Sequence, residues 1–218
     1  MLAEKRFRFD RNIDVVALTA LVLSLFAAVS ALSSYWRGPD LKLITPRHVG
    51  LYVDRAPGSA AAVVHVAASM AYANVAQEPY GDLVLEESAT LNVGGKTTRQ
   101  EWNAYGKLEG DGLSATAPTL MEPLPGGTAL SHITLFAPVP AQCRAGDSKC
   151  DPARDSWSPE LLAAYSKNAK NLVLEFALKP YKGAEIRKTC TVPLTPEIRG
   201  KIANLRQSVL FATCREKD

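Results

Sequence analysis

Cys143 and Cys150 enclose the segment CRAGDSKC, with Asp147 inside it and Asp151 and Asp155 just beyond. Thiols and carboxylates at this density offer two chemistries, oxidation to a disulfide or coordination of a metal ion. Six residues separate the two thiols, whereas structural zinc pairs typically leave two to four. The acidic side chains recur at every fourth position. A helix-loop-helix calcium loop typically places its ligands at every second position, with a glycine at the sixth. Coordination therefore fits poorly, and bridging is the expected chemistry wherever the compartment is oxidising. Cys190 and Cys214 complete an even set of four cysteines. Sequence order leaves three connectivities open, and the shortest loops join Cys143 to Cys150 and Cys190 to Cys214.

Other reactive side chains are sparse. The histidines are His48, His65 and His132. His65 has the opposite parity to Val64, Val66 and Met70, so it is expected to face solvent or a second contact surface. His132 alternates with Leu130, Thr134 and Phe136. There is no Gly-x-Ser-x-Gly elbow, His-Glu-x-x-His motif, P-loop or dinucleotide glycine pattern. Met70 and Met121 stand apart from the histidines, which speaks against a copper carrier. The pair Glu86-Glu87 could do acid–base work if both carboxylates met in a cleft, but a strand bulge or edge that exposes Glu87 explains it more simply. No catalytic residue, metal ligand or cofactor site is assigned. Two contact surfaces are expected instead. One is a loop carrying Asp147, Asp151, Asp155 and Trp157; the other is an aromatic group of Tyr80, Trp102 and Tyr105, which packing in a core would explain equally.

The elements that position these residues begin with an uncharged run, VVALTALVLSLFAAVSALSSYW, over residues 15–36. As a helix it spans about 30 Å, the thickness of a bilayer core. Lys5, Arg6, Arg8 and Arg11 precede it, while Arg37 and Lys42 are the near basic residues behind it. The positive-inside rule then puts residues 1–14 in the cytoplasm and the rest of the chain outside it. Tyr35 and Trp36 suit the headgroup level. Val29-Ser30-Ala31 offers a signal-peptidase site, but Glu4, Asp10 and Asp14 are unusual for a signal sequence and the apolar run continues past that point. The expected organisation is a cytoplasmic basic N-terminus over 1–14, a signal-anchor helix over 15–36, a linker over 37–47 and an extracytoplasmic domain over 48–218.

Period-2 alternation dominates that domain. In residues 82–93, Leu83, Leu85, Ala89, Leu91 and Val93 share one parity, and Gly94-Gly95 follows as a hairpin turn. Residues 50–54, 62–75, 128–139, 172–179, 185–192 and 208–214 read as further strands. Ser158-Pro159-Glu160 and Thr195-Pro196-Glu197 start helices over 158–170 and 195–207, because each supplies a cap, a residue that needs no amide partner and a charge suited to the dipole. The expected fold is mainly β: one N-terminal transmembrane helix, then an antiparallel immunoglobulin-like β-sandwich with one or two short helical insertions.

Lys and Arg number 25 and Asp and Glu 22, a net charge of +3, too mild for a nucleic-acid partner. The expected role is a membrane-anchored, non-catalytic accessory or scaffold subunit in the inner membrane, with its domain in the periplasm and other envelope membrane proteins as partners. A small-ligand or carbohydrate sensor is the alternative, and a hydrolytic enzyme the third.

Overall fold

The computed structural model describes residues 11–55, 61–76, 78, 80–109, 112–138, 156–206 and 209–216, without side chains for 11–14 and 33–37. The chain forms two units, Met1–Gly38 and Pro39–Asp218.

The first unit contains helix α1, Arg11–Arg37. Its window Val15–Leu32 is long and apolar enough to cross a membrane, and none of it is buried. The Thr19 hydroxyl donates to the Val15 carbonyl at 2.7 Å, so it needs no partner outside the helix.

Among the described residues, the second unit is built on twelve strands of one antiparallel sheet. In chain order they are β1 (Leu41–Ile44), β2 (His48–Arg55), β3 (Ala62–Asn74), β4 (Asp82–Val93), β5 (Lys96–Glu109), β6 (Gly112–Pro118), β7 (Glu122–Leu124), β8 (Ala129–Pro138), β9 (Asn171–Pro180), β10 (Ile186–Pro193), β11 (Leu210–Thr213) and β12 (Arg215–Glu216). Helix α2 (Pro159–Asn168) precedes β9, and α3 (Pro196–Ala203) follows β10. Strand accounts for 56% of the structure, which makes the protein mainly β. The domain begins earlier than residue 48, because β1 lies inside the stretch read as a linker and pairs with the last four residues of β3. The short strands β6 and β7 also escaped the sequence reading.

The main ladder runs β11-β2-β3-β8-β5-β4-β9-β10-β12. Its two ends belong to adjacent pieces of chain: β11 pairs with β2, β12 pairs with β10, and only Cys214 separates them. At this seam Cys214 N donates to Arg47 O at 2.9 Å. Glu216 Oε1 accepts from Thr45 Oγ1 at 2.7 Å and Lys188 Nζ at 2.8 Å. The Cys190–Cys214 disulfide, Cα atoms 5.3 Å apart, ties β10 to the same segment. The sheet thus curls into a nearly closed barrel, where the sandwich reading expected two separately paired sheets. Cys190 shares the parity of Ile186 and Val192 along β10, which alternation turns inward, and it is fully buried.

Replacing Cys190 and Cys214 together by alanine releases a loop with a sequence separation of 24. The chain-entropy relation then gives a loss of about 3.5 kcal/mol. A denaturant midpoint that is the same for the double variant and the wild type would show that the bridge does not hold the seam.

The core lies inside this curl. Leu43, Leu51, Met70, Leu91, Leu174 and Leu178 are among its buried side chains, and Phe136 and Phe176 meet there at 6.1 Å. The helices plug one end. Ser158 Oγ and Thr195 Oγ1 accept from the amides of Leu161 and Ile198 as N-caps, and Pro159 and Pro196 open each helix. Arg199 on α3 donates to the Ser166 and Ala169 carbonyls, both at 2.9 Å, which satisfies the open C-terminal turn of α2. The opposite rim is where Pro39–Asp40 enters the domain.

Candidate functional site

Inside the barrel, towards the rim, sits a polar group that the alternation pattern hid. Glu87 on β4 is fully buried. Its Oε1 lies 2.9 Å from His132 Nε2, and its Oε2 accepts from Thr134 Oγ1 at 2.6 Å. The fully buried Tyr72 hydroxyl faces the same carboxylate but makes no hydrogen bond of normal geometry. The Tyr105 ring packs on His132 at 4.5 Å, and its hydroxyl donates to Glu122 Oε2 at 3.1 Å and Leu120 O at 3.3 Å. Burial raises the pKa of both tyrosines, reinforced by the Glu87 charge at Tyr72 and by Glu122 at Tyr105, so both hydroxyls stay neutral.

Two bulges create this group. The β4–β9 register shifts between Val84 and Glu86, which turns both Val84 and Glu87 inward. The β5–β8 register shifts between Trp102 and Ala104, so Trp102 and Tyr105, three residues apart, both reach the inner side of the sheet. A strand irregularity that exposes Glu87 was expected; the bulge is there, but it turns the carboxylate into the interior instead. The usable signal was that Glu87, His132 and Thr134 all share the parity of core residues.

The arrangement is not a nucleophile relay. Thr134 donates to Glu87 rather than to His132, so no hydroxyl is held for activation by the imidazole. Among the described residues, no group of three His, Cys, Asp or Glu side chains is placed to hold a metal ion. The buried acid links β4 to β8 through His132 and Thr134, with the rings of Tyr72 from β3 and Tyr105 from β5 packed on His132.

The outer face holds a second feature. Beyond Gly106, β5 leaves the ladder with β8 and forms a hairpin with β6. Gly106 is required there, because a Cβ would lie 2.9 Å from two carbons of the Leu135 side chain. Small side chains continue across the neighbouring strands at Gly50, Ala67, Ala68 and Ser69. Against them the hairpin and β11 leave an open groove of about 370 Å³, walled by Leu108, Leu113, Ile133 and Phe211, with His48 at its side. Leu108 and Phe211 are exposed.

His65 lies on this outer face, as its parity opposite to Val64 and Val66 expected, but it is buried there rather than facing solvent. Its ring packs on Tyr52 at 5.2 Å, beside a small apolar cluster of Ala67, Ala104 and Leu135. Burial lowers its pKa from the ordinary 6.5, opposed by the Asp54 charge. The unfolded chain therefore binds the extra proton first. His65 supports full stability above about pH 6.5 and loses its contribution as pH falls from there towards the folded value. His65→Phe should flatten that acid limb between pH 7.5 and 5 in denaturation midpoints; an unchanged slope would refute the burial effect.

The remaining anticipated residues disperse. Cys143, Asp147, Cys150, Asp151 and Asp155 lie outside the described residues. Trp157 is fully buried, so it is a core residue rather than part of a contact loop. Tyr80 is half-buried at the rim, where its carbonyl accepts from Asn74 Nδ2 at 2.7 Å. Trp102 packs on the main core. Tyr80, Trp102 and Tyr105 therefore do not form one exposed aromatic surface.

Fold and sites together define a class: an antiparallel, barrel-like domain that follows in sequence an apolar helix able to cross a membrane, and that carries an outer apolar groove. No protein-family model matches the chain, and no curated protein matches it.

Proposed function

We propose that the chain is a single-pass membrane protein with its N-terminus in the cytoplasm. Its barrel-like domain works in an oxidising extracytoplasmic space, the periplasm of a bacterial envelope, as a non-catalytic accessory or scaffold subunit. The uncovered apolar helix and the Cys190–Cys214 bridge support that address. The observation that carries the interaction role is the open groove, because Leu108 and Phe211 present apolar side chains to solvent around a floor of small residues. The partner is another envelope membrane protein that inserts apolar side chains there.

The test is crosslinking and affinity purification from native membranes with wild type, Leu108→Asp and Phe211→Asp. Both substitutions fall on exposed side chains, so folding survives them. A partner recovered with wild type and lost with both variants supports the reading; equal recovery from all three removes the groove from it. The groove volume also falls in the range of small-ligand sites, roughly 300–1,000 Å³. A sensor would instead show a thermal shift with a small molecule, about 2.7 kcal/mol of stabilisation at a hundredfold excess over Kd.

A further inference from the structure

We propose that the rim where the chain enters the barrel rests on the bilayer surface, with Val75, Leu120, Met121 and Tyr181 seated among the lipids. This rests on the reading of α1 as a membrane span. The four side chains are large, apolar or aromatic, and 55–68% exposed. A single exposed apolar residue needs no explanation, whereas a group at one end of a domain does.

Backbone pairing shows that they share that end. Asp40 N donates to Asn74 Oδ1 at 3.2 Å, and Val75 N donates to Asp40 O at 2.9 Å. Asn74 Nδ2 donates to the Tyr80 and Leu124 carbonyls at 2.7 and 3.1 Å. Leu124 pairs with Asp82, Glu122 pairs with Val84, and Tyr181 N donates to Leu83 O at 2.7 Å. Leu120 is held by its carbonyl to Tyr105 Oη.

The tether supplies the occupant. Only Gly38 and Pro39 stand between the last residue of α1 and Asp40, which the rim holds through both backbone groups. Those steps reach at most about 11 Å. Arg37 follows Leu32 by five helical residues, about 8 Å at the helical rise. That matches the headgroup layer, roughly 5–8 Å on each side of the hydrocarbon core. A rim held this close to the headgroups meets lipid before it meets a partner's surface. Lys42 and Lys182 are exposed at the same end, but so are Asp40, paired to Lys42 at 2.8 Å, and Glu78. The charges nearly cancel, so the contact is apolar and does not depend on anionic lipid.

The experiment uses the full chain in zwitterionic phospholipid vesicles, with p-benzoylphenylalanine replacing Met121 or Tyr181. Two reference positions are Ala164, exposed on α2 at the plugged end, and Phe26 within α1. After irradiation, intact mass should show a one-phospholipid adduct at Met121, Tyr181 and Phe26, and none at Ala164. An adduct at Phe26 without one at Met121 or Tyr181 overturns the rim contact and leaves the anchor standing. No adduct at Phe26 overturns both. Adducts at all four positions would mean non-specific adsorption and would also overturn the proposal.

Discussion

Trp157→Ala should destabilise the domain by about 4 kcal/mol, since removing a fully buried tryptophan typically costs about 3–5 kcal/mol. Trp157 is among the largest side chains with no exposed surface. Its indole N–H donates to Leu91 O at 3.4 Å, and its ring meets Tyr165 edge-on at 5.3 Å. Lys96 Nζ sits 5.2 Å from the ring centroid. The Trp157 carbonyl accepts from Val64 N at 2.7 Å, so Trp157 seals the barrel end between β3, β4 and α2 with both backbone and side chain. Chemical denaturation of the detergent-solubilised chain measures the loss. A variant of wild-type stability with impaired partner binding would restore Trp157 to the contact surface first expected of it.

Glu87→Ala should cost about 2–5 kcal/mol, because it leaves two buried hydrogen-bonding groups without a partner at roughly 1–3 kcal/mol each. His132 Nε2 and Thr134 Oγ1 both lose their partner, and Tyr72 Oη, already without a well-formed bond, is left facing a void. Glu87→Gln keeps the shape and an acceptor for Thr134, so its loss should be smaller. The double variant Glu87→Leu, His132→Leu separates burial from bonding. Replacing both partners by apolar groups is often nearly neutral, so the double change should cost less than the sum of the single ones. Additive single effects would show that the two side chains act independently, against the 2.9 Å contact.

Much of the fold is legible in local pattern. The alternation over residues 82–93 and 172–179 marks β4 and β9, and the turn at Gly94-Gly95 has the positive φ angles, 59° and 88°, that a tight hairpin needs. The capping sequences mark α2 and α3 because their chemistry is local: a side-chain oxygen for an open amide, a proline where no amide partner is needed. The parity of Cys190 correctly turned it towards the core.

The interior group was legible only in part. Glu87, His132 and Thr134 follow the inward parity, but an acid on an apolar face reads more simply as an exposed irregularity unless its partners are in view. Its two partners come from β8 and the rings around them from β3 and β5, and the β5 bulge near Asn103 makes the parity of Tyr105 uninformative. His65 was misplaced for a related reason. Alternation says which side of a strand a residue takes, not whether another part of the chain covers that side.

The sequence by itself determined a mainly β chain with an apolar N-terminal helix, its turns, its helix starts and the inward cysteine, all consequences of neighbours a few residues apart. Only the tertiary structure decided that one sheet curls until β11 and β12 meet opposite edges, that Trp157 seals one end, and that Glu87 is enclosed. Period-2 alternation is the same in a sandwich and a barrel. Which edges meet depends on one-residue bulges and on packing between segments more than a hundred residues apart, and no local pattern encodes that.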